Sequence, residues 1–595
     1  MCIFGKFYKI LQIDGLWHLF LFFMQTKKEL KTALKINLLH ISIWKIETEI
    51  ILIEKTEPIS SATCGMPYYL GDVIREREKL FVQTPQGFAQ RFNIDVRPRH
   101  EVVSIDRHAK KVIVLDPENK RYEESYDRLL LSTGAVPKIP KLNGLCLNTD
   151  KEIGKEARTT SALDHPNIFT LRNMYDTDRI KQYIQNTEAE SAVIVGGGFI
   201  GLEMAENLAM AGLEVTIVEK EKQILPMLNF PMANTLQKYL QQQGIDVLCD
   251  KEIARIEAPR ISNGEGNPRK VSLFFNDGES LTADLMILSL GVAPLTTLAQ
   301  TAGLECGVTG GIKVNPYMVT SDRNIYAVGD VIEFPHPISG EPWRCNLAGP
   351  ANRQARIAAD NMVFDNLTQY EGSIGTAIVK IFDRVVAMTG LSEGVLQRLS
   401  MPYVCSHTHS PSHAGYYPQS DALDITLYFH PTTGQLYGAQ VLGKEGVDKR
   451  IDEIALIIKR QGTVFDLSEI EQAYAPPFSA AKDPVAMAGY VGENIVLHKC
   501  VPFQWDEVAT IDCSRSILVD VRTAEEHAAG AIPNSINIPL DELRERMSEL
   551  PTTAPVFIYC AIGLRGYLAC RILQQNGFQD VRNLSGGFKT WKMSK

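Results

Sequence analysis

Two cysteines stand in surroundings that can activate a thiol. Cys64 lies in ISSATCGMPYYLG (59–71), directly before Gly65, with Pro67 well placed as a first helical residue. A helix N-terminus beside the sulfur would lower the thiol from its ordinary pKa of about 8.5. Cys560 ends the apolar run PVFIYC and opens the loop Cys-Ala-Ile-Gly-Leu-Arg before a helical pattern. Successive backbone N–H groups of such a loop, the next helix N-terminus and Arg565 would make an anion nest for a thiolate or a persulfide. A third stretch, SAVIVGGGFIGLEMAENLAMAGLEVTIVEK, sets Gly196, Gly198 and Gly201 in G-x-G-x-x-G spacing between a strand over 192–195 and a helix reaching about Ala211. The glycines permit a tight turn and bring a pyrophosphate close to the helix N-terminus, whose free N–H groups favour the anion. A second strand ends at Glu219, 23 residues after Gly196. Its carboxylate can accept from a ribose 2′-hydroxyl and would repel a 2′-phosphate, so NADH is expected in preference to NADPH.

The elements that must position these groups belong to a multidomain chain, because 595 residues exceed what one hydrophobic core holds. Short apolar runs alternate with helical patterns, the signature of doubly wound α/β units. With 45% apolar and 22% charged residues and a net charge of -9, the chain offers no general attraction to nucleic acid or anionic membranes. Its eleven cysteines are scattered without a CxxC pair, which points to a reducing cytoplasm. The run GLWHLFLFFM (15–24) is too short to span a bilayer, which needs about 20 residues, and no small-residue cleavage site follows it. A buried or disordered segment is expected there. The HTHSPSH run (407–413) has no sequence-adjacent cysteine or acid to complete a zinc site, and no metal is expected.

Two further pieces flank the nucleotide unit. YDRLLLSTGAVPKIP reads as a buried strand ending in Ser132, Thr133 and Gly134, and TSDRNIYAVGDVIEF as a strand ending in Gly329 and Asp330. This arrangement resembles the two-dinucleotide flavoprotein disulfide reductases, in which a NAD domain is inserted into a FAD domain. The resemblance implies that Asp330 binds the flavin ribityl chain, and that Glu54, at the end of ETEIILIEK, is the acid on the FAD ribose. In glutathione reductase-like members a second redox cysteine would fall at position 69, which is Tyr69 here, so Cys64 must act alone. SSATCGMPYY is instead similar to the S-x-x-N-C-G-x-P-Y-Y motif of the single-cysteine subgroup, matching at Ser60, Cys64, Gly65, Pro67, Tyr68 and Tyr69, with Thr63 in place of Asn. That subgroup contains coenzyme A disulfide reductases, persulfide reductases, NADH peroxidases and NADH oxidases. Such a thiolate donates charge to an oxidised flavin or holds a mixed disulfide. The family's first strand, G-x-G-x-x-G and helix for the FAD pyrophosphate have no counterpart in residues 1–46, where Gly5 and Gly15 form no fingerprint. Weakened FAD binding is therefore expected, together with loss of the basic helix that helps hold the phosphates of coenzyme A (CoA).

Residues 370–495 resemble the family's dimerisation domain, and HAGYYP (413–418) and YAPPFSAAKDP (474–484) resemble segments that reach a partner's redox cysteine. The resemblance gives Tyr416 or Tyr417, with Tyr474, the task of hydrogen-bonding or protonating a sulfur leaving group. The last 85 residues, 511–595, resemble a rhodanese domain, including DVR at 520–522 and LSGGFKTW at 584–591, with Ala531 departing from a common turn histidine. The expected architecture is α/β: two Rossmann-like dinucleotide-binding domains, with the FAD domain (1–190 and 307–369) interrupted by the NAD domain (191–306), then an α+β dimerisation domain and a C-terminal α/β rhodanese domain. The expected activity is FAD- and NADH-dependent reduction of CoA-type disulfides or persulfides by a homodimer, coupled to sulfur carriage on Cys560. The alternatives are an NADH peroxidase or oxidase, with Cys64 cycling through a sulfenic acid, and a flavin-free sulfur carrier.

Overall fold

The computed structural model describes residues 20–26, 48–145, 163–260 and 270–595. The chain divides into two units, Met1–Lys222 with Gly244–Ser373, and Gln223–Gln243 with Ile374–Lys595. Among the described residues no helix is long and apolar enough to cross a membrane.

The first unit holds two five-stranded sheets. The nucleotide-type sheet runs in the order Ile245–Leu248, Glu214–Val218, Ser191–Val195, Leu285–Leu288, Ile168–Thr170, and every pairing in it is parallel. Strands covered on both faces need apolar residues throughout, which is why SAVIV and LMIL read as unbroken runs. The other sheet is ordered Ile325–Ala327, Arg128–Ser132, Phe20–Thr26, Thr48–Glu54, Ile94–Pro98. Its core gathers Ile51, Ile53, Leu129 to Leu131 and Ile325 to Ala327.

Phe20–Thr26 takes the middle of that sheet, so part of the run read as a buried or disordered segment is a strand. It runs antiparallel to both neighbours, with Leu21 opposite Ile53 and Phe20 opposite Ser132. A short apolar run without alternation does not declare its own secondary structure; the vacant slot between two parallel-type strands decides it. The direction matters, because ligands of such sheets sit beyond the carboxyl ends of the parallel strands. At the edge where Glu54 and Ser132 end, this central strand begins.

In the second unit an antiparallel sheet is ordered Ala377–Ile381, Arg384–Gly390, Leu436–Gly443, Ala422–Phe429, Val404–Pro411. The helices Val447–Lys459 and Pro484–Val496 contribute the buried residues Ile451, Ile454, Val485 and Ala488. A final parallel sheet runs Val501–Phe503, Val581–Leu584, Val556–Tyr559, Ile517–Asp520, Ile536–Asn537. Its core of Val519, Ile558, Ala569, Cys570 and Leu573 is completed by the helix Leu564–Gln575.

Candidate functional site

Cys64 sits in the single 3-10 turn Thr63–Gly65 that leads into the short helix Met66–Leu70, with Pro67 in its first turn. Met66 packs with Leu80 and Met174, and Ala62 N–H donates to the Leu80 carbonyl at 2.8 Å, so the turn is pinned from behind while the cysteine itself is exposed. A Cβ on Gly65 would meet Leu80 Cδ2 at 2.5 Å, which explains the glycine. The expectation of a lowered thiol is corrected here. Local desolvation of the sulfur, then the carboxylate of Glu203 and more weakly that of Asp330, raise the Cys64 thiol. A five-residue helix supplies little dipole to oppose them. Glu203 accepts from the Tyr68 hydroxyl at 3.4 Å, and burial pushes its carboxyl up to about 7.

Glu54 and Asp330 each bury a carboxylate oxygen that has no protein partner. Glu54 is 1% exposed; its Oε1 accepts from Thr56 N–H and Oγ1 at 2.8 and 2.6 Å, while Oε2 has no partner. Asp330 is 6% exposed and its Oδ1 has none. Desolvation pushes both carboxyl groups up to about 8. The hydroxyl of Ser60, fully buried, and Nη1 of Arg344 are likewise without partners. A buried acceptor left unpaired is costly, and ribose and ribityl hydroxyls are donors that would satisfy these oxygens. Thr133 donates to the Leu295 carbonyl at 2.6 Å, while Gly134 and Gly329 hold φ of +66° and +80°. Gly329 N–H is held by Gln354 Oε1 at 2.8 Å.

The glycine-rich turn has the geometry its spacing predicts. Gly196 has a φ of +110°, and a Cβ there would meet the Ser289 carbonyl oxygen at 2.4 Å. A Cβ on Gly201 would meet Gly196 O at 2.0 Å, so the helix Phe199–Met210 packs against the turn itself. Gly198, the N-cap of that helix, faces open space. Glu219 directly follows the strand Glu214–Val218, and its carboxylate accepts from Gly197 N–H at 2.7 Å and Glu221 N–H at 2.9 Å. The acid is thereby aimed at the mouth of the turn.

In the second unit the Tyr416 and Tyr474 hydroxyls lie 3.0 Å apart, and the Tyr417 ring packs edge-on to His413; all three side chains are exposed. The hydrogen bond shared with Tyr416 is the main cause that raises the Tyr474 hydroxyl. Tyr474 also lines a cavity of ≈ 550 Å³ with His413, Lys449, Arg450 and Phe478. Near it, Arg450 is fully buried and paired with Asp483 at 2.9 Å. The histidine run does meet an acid and a cysteine in space: His409 Nδ1 is 2.6 Å from Asp424 and Cys405 Sγ is 3.4 Å from His407 Nε2. Lys589 also holds Asp424, at 2.5 Å. Among the described residues no three His, Cys, Asp or Glu side chains converge as a metal site.

Cys560 follows the strand Val556–Tyr559, and its Sγ, nearly buried, accepts from Gly563 N–H at 3.1 Å. Phe588 N–H and Lys589 N–H, donating to the Cys560 and Ala561 carbonyls at 2.7 and 2.9 Å, fix the loop from the far side. Arg565 lies within electrostatic reach of the Cys560 sulfur. Its guanidinium forms a fork with Glu526 at 2.6 and 2.7 Å, and that pairing holds the Glu526 carboxyl down at about 2. Glu526 and Glu203 are the two site residues that sequence reasoning missed. Glu526 is the N3 acid of a capping box opened by Thr523, a legible signal in TAEE, but its partner across the loop is not. Glu203 had no signal beyond its helix.

Residues 39–355 match the pyridine nucleotide-disulphide oxidoreductase model, 376–485 that family's dimerisation domain and 507–594 the rhodanese-like domain. Coenzyme A disulfide reductase of Staphylococcus epidermidis is 33% identical over 445 residues, 75% of this chain and 94% of that protein. Among solved structures, reduced CoADR-RHD of Bacillus anthracis is 42% identical with a TM-score of 0.84, covering 92% of this chain and 93% of that one. A NAD-dependent persulfide reductase from A. fulgidus is 31% identical with a TM-score of 0.80, covering 91% and 95%. The water-forming NADH oxidase of Lactobacillus brevis, at 21% identity and a TM-score of 0.67 over 76% and 93%, shares the fold alone. The chain belongs to the pyridine nucleotide-disulphide oxidoreductase family, FAD-dependent enzymes, and carries that family's dimerisation domain and a rhodanese-like domain.

Proposed function

We propose that the chain is a homodimeric reductase of CoA-type disulfides or persulfides, driven by NADH, working through Cys64 and supplied with sulfane sulfur by Cys560. The observation that carries this is the placing of a lone exposed thiol, Cys64, within electrostatic reach of Asp330, whose buried Oδ1 is without a partner. Glu54 and Asp330 fit the ribose and ribityl hydroxyls of FAD, with Ser60, Thr133, Gly134 and Gly329 around them. Bound there, the flavin supplies two-electron transfer between a nicotinamide and the cysteine. Gly196, Gly198 and Gly201 fit the nucleotide pyrophosphate, and Glu219 its adenosine ribose, in preference to the 2′-phosphate of NADPH.

The thiolate of Cys64 attacks one sulfur of R–S–S–R′, forming Cys64–S–S–R and releasing R′–S⁻. Glu203, with a carboxyl near 7, holds the proton that Cys64 gives up and can return it to the departing thiolate. In the dimer, the Tyr416–Tyr474 pair is the second donor to a leaving sulfur. Cys560 holds a persulfide sulfur against the Gly563 N–H, and Arg565, tied to Glu526, adds a positive charge within reach of it. Purified full-length protein given excess FAD should oxidise NADH many times faster with CoA disulfide or CoA persulfide than with hydrogen peroxide. Faster turnover with peroxide would favour the peroxidase reading instead.

A further inference from the structure

The helix Gly587–Met593, which follows the strand Val581–Leu584, touches two elements of the second unit at once. Towards the Cys560 loop, Phe588 N–H and Lys589 N–H donate to the Cys560 and Ala561 carbonyls at 2.7 and 2.9 Å. A Cβ on Gly587, whose φ is +62°, would meet Cys560 O at 2.5 Å and the Ile562 and Gly563 nitrogens at 2.9 Å, so backbone lies directly on backbone there. Towards the antiparallel sheet, Lys589 Nζ donates to Asp424 Oδ1 at 2.5 Å, and Thr590 Oγ1 lies 2.7 Å from His409 Nε2. Ser585 Oγ accepts from His407 N–H at 2.9 Å, and a Cβ on Gly586 would meet His407 Cβ at 2.8 Å. His409 Nδ1 reaches the same Asp424 oxygen at 2.6 Å. A carboxylate only accepts, so in the neutral ring Nδ1 donates to Asp424 and Nε2 accepts from the Thr590 hydroxyl. The His409 and Asp424 side chains are 5% and 10% exposed, which shields the contact from water. Desolvation opposes the charge on Asp424, yet His409 and then Lys589 hold its carboxyl below the usual carboxylate range.

We propose that Asp424, with His409, is a positioning residue for the sulfur-carrying loop: acting through Lys589 and Thr590, it holds the helix Gly587–Met593 where Phe588 and Lys589 fix the Cys560 and Ala561 carbonyls. The proposal rests on the reading of Cys560 as the carrier of sulfane sulfur. Lys589 is the link, because its two ends do different work: Nζ is held by Asp424 while its backbone N–H holds Ala561. The bond that the loop gives the sulfur, from Gly563 N–H at 3.1 Å, depends on the peptide units between Cys560 and Gly563 keeping their orientation. Such a bond weakens steeply with misalignment, so a helix freed from Asp424 loosens the donor aimed at the sulfur without touching the sulfur itself. The antiparallel sheet thereby takes part in the chemistry of a cysteine that the final sheet carries.

The test compares full-length Asp424→Asn, Lys589→Met, the two combined, and Lys589→Arg with the parent, by amide exchange and by sulfur transfer from thiosulfate to cyanide. Each of the first two should lower protection in the peptides covering Cys560–Gly563 and Phe588–Lys589 by about tenfold, the size of one charge-assisted hydrogen bond. The kcat of sulfur transfer should fall by a similar factor while KM stays within about threefold. The combined variant should be no worse than either single one, since both remove the same contact, and Lys589→Arg, which keeps a cation on Asp424, should stay near the parent. Exchange in Ile517–Asp520 should be unchanged, which separates positioning from general loss of stability. Parental exchange at Cys560–Gly563 in Lys589→Met, or additive losses in the combined variant, would overturn the proposal. If Asp424→Asn does not fold, Lys589→Met, with its side chain 33% exposed, decides alone. A parent that transfers no sulfur, or a Cys560→Ser variant that transfers it as fast, removes the carrier reading, and exchange in the loop still decides the positioning.

Discussion

Replacing Glu219 by alanine should act in opposite directions on the two nicotinamide nucleotides. Its carboxylate is 9% exposed, held by Gly197 and Glu221 N–H groups at 2.7 and 2.9 Å, and so fixed at the mouth of the turn. For NADH the loss is a charge-assisted hydrogen bond to the ribose, about 1.5–3 kcal/mol, or roughly ten- to 150-fold in affinity. For NADPH the loss is a repulsion: a carboxylate about 4 Å from a phosphate oxygen, at an effective dielectric constant of about 20, opposes binding by ~4 kcal/mol per pair of unit charges before salt screening. The two backbone N–H groups also lose their acceptor, but that cost falls on both nucleotides alike and cancels in their ratio. The ratio of kcat/KM for NADH over NADPH, read from nicotinamide absorbance with added FAD, should therefore fall by at least about 100-fold. A ratio that stays within about threefold of the parent, in a folded protein, would refute the assignment of Glu219 to the ribose.

The flavin site yields a second expectation. Residues 1–46 carry no G-x-G-x-x-G for the FAD pyrophosphate, and loss of two or three charge-assisted bonds to it costs roughly 3–5 kcal/mol. The chain should purify with little flavin, and replacing residues 1–46 by a strand, G-x-G-x-x-G and helix of the family type should restore stoichiometric flavin absorbance; full FAD in the unmodified protein would contradict this. The Arg565–Glu526 fork has a pH signature. Pairing lowers the folded Glu526 pKa from 4.5 to about 2, so its stabilisation is present above about pH 4.5 and lost as pH falls towards 2. Since these side chains are 32% and 36% exposed, screening leaves about 1 kcal/mol. Amide exchange in the Ala524–Ala528 helix should weaken over that range in the parent relative to Glu526→Gln, and parallel profiles would count against the pairing.

Much of this arrangement was legible because its signals are local. Three glycines with an acid 23 residues on, or a cysteine ending an apolar strand, each fix a turn whose purpose follows from backbone chemistry. What escaped is what only folding brings together. Desolvation, then the Glu203 carboxylate and more weakly that of Asp330, both distant in the chain, raise a thiol that the local motif alone led one to expect lowered. Arg565 is legible as a cation beside Cys560, but the Glu526 carboxylate, 39 positions earlier, that also holds its guanidinium is not. Tyr416 and Tyr417 are adjacent and chemically equal; only the hairpin geometry puts one beside Tyr474 and the other beside His413. Phe20–Thr26 is decided by a slot in a sheet whose other strands lie up to about 300 residues away in the chain.

The central claim is that Cys64 performs the reduction and Cys560 carries the sulfane sulfur supplied to it, each on its own cysteine. Cys64→Ser, assayed as full-length protein with added FAD, should lose NADH-dependent reduction of CoA disulfide by at least about 1,000-fold, because serine cannot form the mixed disulfide. Transfer of sulfane sulfur from thiosulfate by Cys560 should persist at the parent rate. Substantial NADH-dependent disulfide reduction in Cys64→Ser, or loss of both activities in a folded protein, would contradict the account.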